Sequence, residues 1–494
     1  MVSTSLHEVE RAPAPPAEPA VPLPESRPVS QVKIQQVAAQ VDELPSPHHL
    51  PRPAPPGRDR YPIDLPTTLQ LAGANSLQIA LAGERIRQAQ ARLSGAEHQW
   101  LPSIQAGVGY NFHDGRVQET EGGIVDTSRN ALFVGGGPNV GPGSLTGPGG
   151  PPARLAVGLP LADVLFAPLA ERQQAQAANA ASTAVFNDTL LQAALGYLQL
   201  VQAQGRAAIA EESVTNSEEL ARLVESRVKA GTAPPADGLR AKIELAERRR
   251  QAFAAEEHVR VASADLARVL RLDPAVTLFP MEGGPTTVCM IDQQTPLPEL
   301  LAQGLTSRPE LAQHRALVHA TVERMRQEQW RPWLPTVQVG MSAGGFGGGE
   351  GSFTGSFGGR IDFDALAVWE LRNLGMGNRA LQRERVSQHA QAGLEAAQWL
   401  DTIAAEIVAA YYQVQLRQQQ VDQSRAAVEF AAEAVPLNFK GILGGDLRAI
   451  EAQQAIQSLA RAQDRYLDSV TAYNRAQFQL LRALGRPPEP AIAR

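Results

Sequence analysis

A chain of 494 residues with 45 Lys and Arg against 51 Asp and Glu carries a net charge of −6, and with no basic cluster resembling a nucleic-acid footprint it excludes nucleic acid as a partner. The single cysteine, Cys289, excludes internal disulfides and cysteine-built metal clusters. No apolar run approaches the roughly 18–20 residues of a membrane-spanning helix, so any crossing has to use β-strands.

The N-terminal stretches Ala12–Pro28 and Leu44–Pro56 are rich in proline and cannot continue a helix or bury a core. Residues 1–63 are therefore expected to form a disordered tail. Its start, Met1 to Glu8, has neither a basic nor an apolar stretch, so no secretory signal is read there.

Residues 67–100 are predicted to form a helix, with apolar spacing through Leu69, Ala72, Leu77, Ala80, Leu81, Ile86, Ala89 and Leu93. From Ile104 the period changes to two. Ile104, Ala106, Val108, Tyr110 and Phe112 share one face, and Gln105, Gly107, Gly109 and Asn111 the other, as in a strand with one apolar side. The Gly/Pro-rich segment 113–152 is expected to be loop, with a return strand over Leu155–Leu161.

A long helix follows from about 165 to 230. Phe186, Ala193, Leu200, Ala207, Val214, Ala221 and Val228 recur every seven residues, the spacing of coiled-coil packing. It would run about 100 Å at 1.5 Å per residue, three times a bilayer's hydrocarbon thickness. The breakers Gly231–Asp237 turn it into a returning helix that closes near Leu270-Arg271. Residues 274–298, with a β-rich patch at Thr286–Ile291, read as a linker.

Then the pattern recurs. Trp100-Leu101-Pro102 is echoed by Trp333-Leu334-Pro335, Tyr197-Leu198-Gln199 by Tyr411-Tyr412-Gln413, and Leu270-Arg271 by Leu481-Arg482. Val337, Val339 and Met341 alternate with Gln338, Gly340 and Ser342, while Phe353, Phe357, Ile361 and Phe363 alternate with Thr354, Ser356, Arg360 and Asp362. Leu400, Ile407, Val414, Val421, Val428 and Val435 keep the seven-residue step, as do Ala452, Leu459, Tyr466, Tyr473 and Leu480 after the reversal at Gly441–Asp446. The organisation expected is a tail (1–63), a first repeat (64–273), a linker (274–298), a second repeat (299–486) and a C-terminal tail (487–494).

The apolar strand faces fit lipid and the Gly/Gln/Ser faces a wet lumen; two amphipathic hairpins on a soluble core fit the same alternation. In the membrane reading Val108, Tyr110, Phe357 and Ile361 face lipid. Four strands per chain are fewer than the roughly eight that close the smallest barrels, and unpaired strand edges cannot face lipid. Closure then requires copies, three of which give twelve strands.

Over residues 66–486 the chain resembles the TolC-type outer-membrane efflux proteins. The resemblance rests on Ser307-Arg308-Pro309-Glu310-Leu311, which is similar to the family's Asn-Pro-Glu-Leu element, on the two Leu-Pro strand openings, and on the ends Val269–Pro274 and Ala483–Pro487. It implies a mainly α fold with a membrane β-barrel portion, in which a duplicated β-hairpin and long antiparallel coiled-coil helices build a homotrimeric twelve-stranded barrel continued by an α-helical tube. It also implies a passive outer-membrane export channel, most of it periplasmic, that works with a periplasmic adaptor (membrane fusion) protein and an inner-membrane pump in efflux or type I secretion. The family's tip acids, which ring a periplasmic gate, align with Asp237 in the first repeat and with Arg448 and Glu451 in the second. The alternative is a periplasmic or soluble coiled-coil scaffold without a pore.

No catalytic, cofactor or metal site is expected. Gly340-Met341-Ser342-Ala343-Gly344 matches the nucleophile elbow, but that motif needs a helix after the turn, and Gly344–Gly349 starts none cheaply. His314 and His319, five apart on a helix, point to different faces and make poor joint ligands. A phosphate-binding Gly-x-x-x-x-Gly-Lys loop is absent, so energy has to come from a partner.

Overall fold

In the computed structural model the described residues are 60–101, 103–140, 159–281, 286–292, 294–349, 355–444 and 447–488, all within one unit spanning 50–494. Residues 1–59, nearly all of the expected tail, lie outside them. β1 (Arg60–Ile63), α1 (Leu65–Asn75) and α2 (Leu77–Glu97) lead into β2 (Ser103–Gln118) and β3 (Ile124–Val140). A short β4 (Leu159–Pro160) starts α3 (Leu161–Lys229), which reverses into α4 (Pro235–Leu270). After β5 (Thr277–Pro280) the order recurs as α5 (Leu297–Ser307), α6 (Pro309–Trp330), β6 (Thr336–Gly349), β7 (Gly358–Val368), α7 (Met376–Gly444) and α8 (Ala449–Ala483).

Local chemistry sets the boundaries. Asp64 caps α1, accepting from the Thr67 amide at 2.8 Å. Pro66, Pro235, Pro298 and Pro309 occupy first-turn positions, where a missing N–H costs nothing. Gly231, at φ 76°, opens the reversal after α3 in a left-handed backbone open to glycine. α3 and α7 each run 69 residues.

Four expectations are corrected. The helix over 67–100 is two helices: Ser76 ends α1 and caps α2, its hydroxyl accepting from the Gln78 amide at 3.2 Å. Apolar spacing continues on both sides, so periodicity does not register the break. Second, Arg60–Ile63 belongs not to a disordered tail but to β1, parallel to β5, with Ile63 buried. Third, most of the segment 113–152 that falls among the described residues is strand rather than loop. β2 and β3 pair from Ser103↔Asn139 to Gln118↔Ile124, and cross-strand pairing supplies what the local propensity of a glycine-rich strand lacks. Of the return strand over 155–161, the described residues hold Leu159 and Pro160 as β4 and Leu161 as the start of α3. Val140 faces Val339 and Leu159 faces Val337, so β3 and β4 follow one another along one flank of β6. Fourth, the patch Thr286–Ile291 is held by a helix, not by a strand. Buried Asn474 on α8 accepts from the Val288 amide at 2.8 Å and donates to the Thr286 carbonyl at 2.7 Å, while Gln477 accepts from the Met290 and Ile291 amides.

The strands order as β2–β3–β6–β7. The helices follow the same order of repeats: α2–α3–α6–α7 beside the strands and α4–α3–α8–α7 toward the reversals. The seven-residue pattern marks the buried seams, with Ala193, Leu200, Ile407, Val414, Val421, Tyr473 and Leu480 buried. Leu400 departs from it and is 43 % exposed. Between the repeats α3 approaches α8 at Gly205, where a Cβ would meet the Leu467 side chain at 2.8 Å.

Where α3, α6, α7 and α8 converge, the motif Ser307–Leu311 becomes an ion network. Arg308, 1 % exposed, donates to Glu310 at 3.0 Å and Glu406 at 2.9 Å. Arg482 bridges Glu406 at 2.8 Å, Asp188 at 2.7 Å and Glu310 at 3.3 Å. Such a cluster stabilises little against an apolar replacement, but losing one partner strands a buried charge at a cost of about 3–5 kcal/mol. Arg308→Ala should lower unfolding stability by that amount in denaturant titration followed by helical circular dichroism. Arg87→Ala, at an exposed pair with Glu84, should leave the midpoint almost unmoved.

Candidate functional site: a two-faced sheet and two helical tips

Register fixes which strand residues share a face. Val108 opposes Val134, which opposes Gly345; Tyr110 opposes Leu132; Ala343 opposes Ile361; Met341 opposes Phe363. One face thus carries Val108, Tyr110, Phe112, Val134, Met341, Ile361 and Phe363, all exposed in the single chain. Phe357 joins it, lying across Gly345 and Gly347, where a Cβ on either would run into its ring. All four residues expected to face lipid therefore lie on one side of one sheet.

The other face is polar and small. Asn111, His113, Gly344, Ser342, Arg360 and Asp362 lie there with Phe346. Arg360 donates to Asp362 at 2.8 Å, and its guanidinium carbon stands 5.0 Å from the Phe346 ring centre. Gly344 is required where β6 meets β3, since a Cβ there would strike the Val134 carbonyl. Ser356, grouped with this face by alternation, instead sits in the β6–β7 turn at φ 48°.

At the far ends of the long helices the reversals meet around a cavity of about 700 Å³ lined by Arg227, Asp237, Arg240, Glu244, Ile442 and Arg448 among others. Asp237 and Arg448 are brought to one cavity, but they do not pair. Asp237 takes Arg240 at 3.3 Å, and Glu451 accepts from the Arg448 backbone amide at 3.3 Å. Among the described residues the Arg448 side chain makes no ion pair. The ties between the two hairpins come from residues that the sequence reading did not single out. Arg227 on α3 donates to the Ile442 carbonyl on α7. Glu244 on α4 accepts from Gln453 at 2.8 Å and Gln457 at 3.1 Å on α8, and from Arg248 on its own helix. A glutamate half-hidden by glutamines on the facing helix looks like a solvated charge in sequence, which is why pattern did not reveal it.

Solved structures share this arrangement. The OprN outer-membrane channel superposes with a TM-score of 0.69 at 18 % identity, over 85 % of this chain and 89 % of that one. The CmeC outer-membrane channel of Campylobacter jejuni gives 0.70 at 13 %, over 85 % of each. The outer-membrane protein VceC of Vibrio cholerae gives 0.64 at 17 %, over 85 % and 96 %. The fold is that of the outer-membrane channels. No protein-family model and no curated sequence matches the chain.

Within this channel fold the chemical motifs have structural places. Ser342 lies inside the 14-residue strand β6, opposite Asp362, with no turn into a helix behind it. His314 stacks on Trp399 at 5.4 Å, and burial pushes its pKa down. No group of three or more His, Cys, Asp or Glu placed to hold a metal occurs among the described residues.

Burial alone would raise the Glu244 carboxyl, but the bonds from Gln457, Arg248 and Gln453 outweigh it and hold the pKa below its ordinary value of 4.5. A depressed carboxylate contributes stability that is complete above the unfolded pKa and is lost as pH falls through the folded one. Hydrogen exchange of the hairpin tips, corrected for intrinsic rates, should be flat above about pH 5 and accelerate below about 4.5. Glu244→Gln should abolish that acceleration; its persistence would move the titration to another group.

Proposed function

We propose that the chain is the passive outer-membrane channel of a tripartite export system, closed as a homotrimer and working with a periplasmic adaptor and an inner-membrane transporter. One observation carries this reading: strands and helices end in open flanks on the same two sides. β2 pairs only with β3 and β7 only with β6 among the described residues, leaving two rows of unpaired backbone groups. Hydrocarbon does not tolerate such edges. The helices repeat the pattern. Large apolar side chains stand exposed along the outer helices, Leu239, Ile243 and Phe253 on α4 and Leu416, Phe430 and Leu437 on α7, with Phe253 at 77 % and Phe430 at 72 %. On the inner helices α3 and α8 the exposed ones among the described residues are confined to Leu165, Leu169 and Ile450 near their first turns.

A second copy set against β7 and α7 with its own β2 and α4 covers both flanks at once. Three copies close a ring whose polar sheet face lines the lumen and whose apolar face meets lipid. From Ser103 to Phe112, β2 spans about 30 Å along the strand, or about 23 Å across a membrane at a tilt near 40°, close to the roughly 25 Å apolar band of such barrels. The long helices project beyond it as a tube. Its tips, where threefold symmetry gathers Asp237, Arg448 and Glu451, form the closable end. The absence of any helix apolar enough to cross a membrane among the described residues leaves this strand-built route untouched.

Detergent-solubilised protein should be a trimer by native mass analysis, and a folded, inserted monomer would overturn the proposal. Carbonate extraction should leave the chain in the membrane pellet, whereas a scaffold without a pore would be released. Ile361→Arg should cost about 2–4 kcal/mol of membrane stability, and Asn111→Arg on the other face far less. In planar bilayers Arg227→Ala, which unties the hairpins, should raise single-channel conductance more than Arg448→Ala. Unchanged conductance in Arg227→Ala would take that tie out of the gate.

A further inference from the structure

Four of the five tryptophans sit at one end of the sheet. Trp100 precedes β2, Trp330 and Trp333 precede β6, and Trp369 follows β7. In an antiparallel sheet those positions all belong to the end that adjoins the helices. The opposite end is charged: on the lipid-side positions of β2, Phe112 gives way to Asp114 and to Arg116, which pairs with Asp126 at 3.4 Å, before the turn at Glu119–Gly123. The two ends of the apolar band therefore differ in kind.

Along β7 the alternation of Ile361, Phe363, Ala365 and Ala367 carries on to Trp369, whose indole donates to the Trp333 carbonyl at 3.2 Å. Beyond it the backbone turns through three successive left-handed residues, Asn373 (φ 49°), Leu374 (φ 59°) and Gly375 (φ 86°). Buried Asn378 fixes this turn by accepting from the Arg372 amide at 2.8 Å. The result is a leucine in a conformation that L side chains resist, presented at 97 % exposure beside exposed Leu371 and Met376. In water both the conformation and the exposure are unfavourable. In lipid the exposure becomes burial.

We propose that the segment Trp369–Met376, with Trp333, is an interfacial anchor in which the indoles lie at the phospholipid headgroup level and Leu374 enters the acyl region of the leaflet next to the helices. This rests on the membrane-channel reading. At Trp369 a further copy of the chain is not the occupant, because copies join β7 at its in-plane edge, whereas Trp369 continues the face that carries Ile361. Indole suits that level, with an apolar body and a satisfied polar edge.

The test uses the full-length trimer in phosphatidylcholine vesicles, with Cys289→Ser and an environment-sensitive fluorophore on Leu374→Cys, Ile361→Cys or Glu211→Cys, the last exposed far along α3. Nitroxide lipids labelled near the headgroup should quench position 374 more than lipids labelled deep in the chain. Position 361 should show the reverse order, and position 211 no quenching. Quenching at 361 with none at 374 would overturn the anchor and leave the channel standing. No quenching at 361 would overturn the membrane barrel itself, and the anchor with it.

Discussion

An unpaired strand edge is the constraint from which the rest of the molecule follows. A backbone amide or carbonyl left without a partner in hydrocarbon costs several kcal/mol, and β2 and β7 each present a row of them. A single chain cannot remove both rows, because its strands are too few to curl back on themselves. The repeat order in the sheet is also the repeat order in the helices, so the step that pairs the edges also covers the apolar flanks of α4 and α7. In the proposed trimer, membrane insertion and tube assembly become one event. A chain that closed its sheet while leaving its helices open, or the reverse, would need two different partners on each side.

The residues advertise the part of this design that depends on short-range pattern. Heptads at Leu200, Ile407 and Val414 mark seams because each turn of a coiled coil repeats the same burial requirement. Alternation around Val108 and Ile361 marks a two-faced sheet for the same reason. What pattern misses depends on partners far away in sequence. β3 is glycine-rich and reads as loop until β2 and β6 supply ladders on both sides. The break at Ser76 leaves the apolar spacing intact on either side. Asn474 and Gln477 are ordinary polar residues on a helix until a strand-like segment nearly two hundred residues earlier needs its amides satisfied. Arg308 was legible as part of a motif, but its place in a cluster of five charges centred on Arg482 appears only when four helices meet.

The tips illustrate the same division. The first breaker cluster overlaps the reversal between α3 and α4 and the second the end of α7, and the charges just past them were legible as candidates. Their pairing was not, because Asp237 is engaged by Arg240 on its own helix and Glu451 by a helix cap. The hairpins are instead tied by a carbonyl and by glutamines, groups whose charge gives no sign of the bond they make.

The equal lengths of α3 and α7, 69 residues each, act as a matched pair of rulers. Both start at the sheet and both must reach the level where Arg227 meets Ile442, so neither can change length alone. Removing one heptad from α3 would lift its tip about 10 Å and carry the Arg227 donor two turns away from its acceptor. To stay level, the same deletion has to occur in α4, α7 and α8 together. In the proposed tube, length therefore becomes a property that changes in whole coordinated steps or not at all.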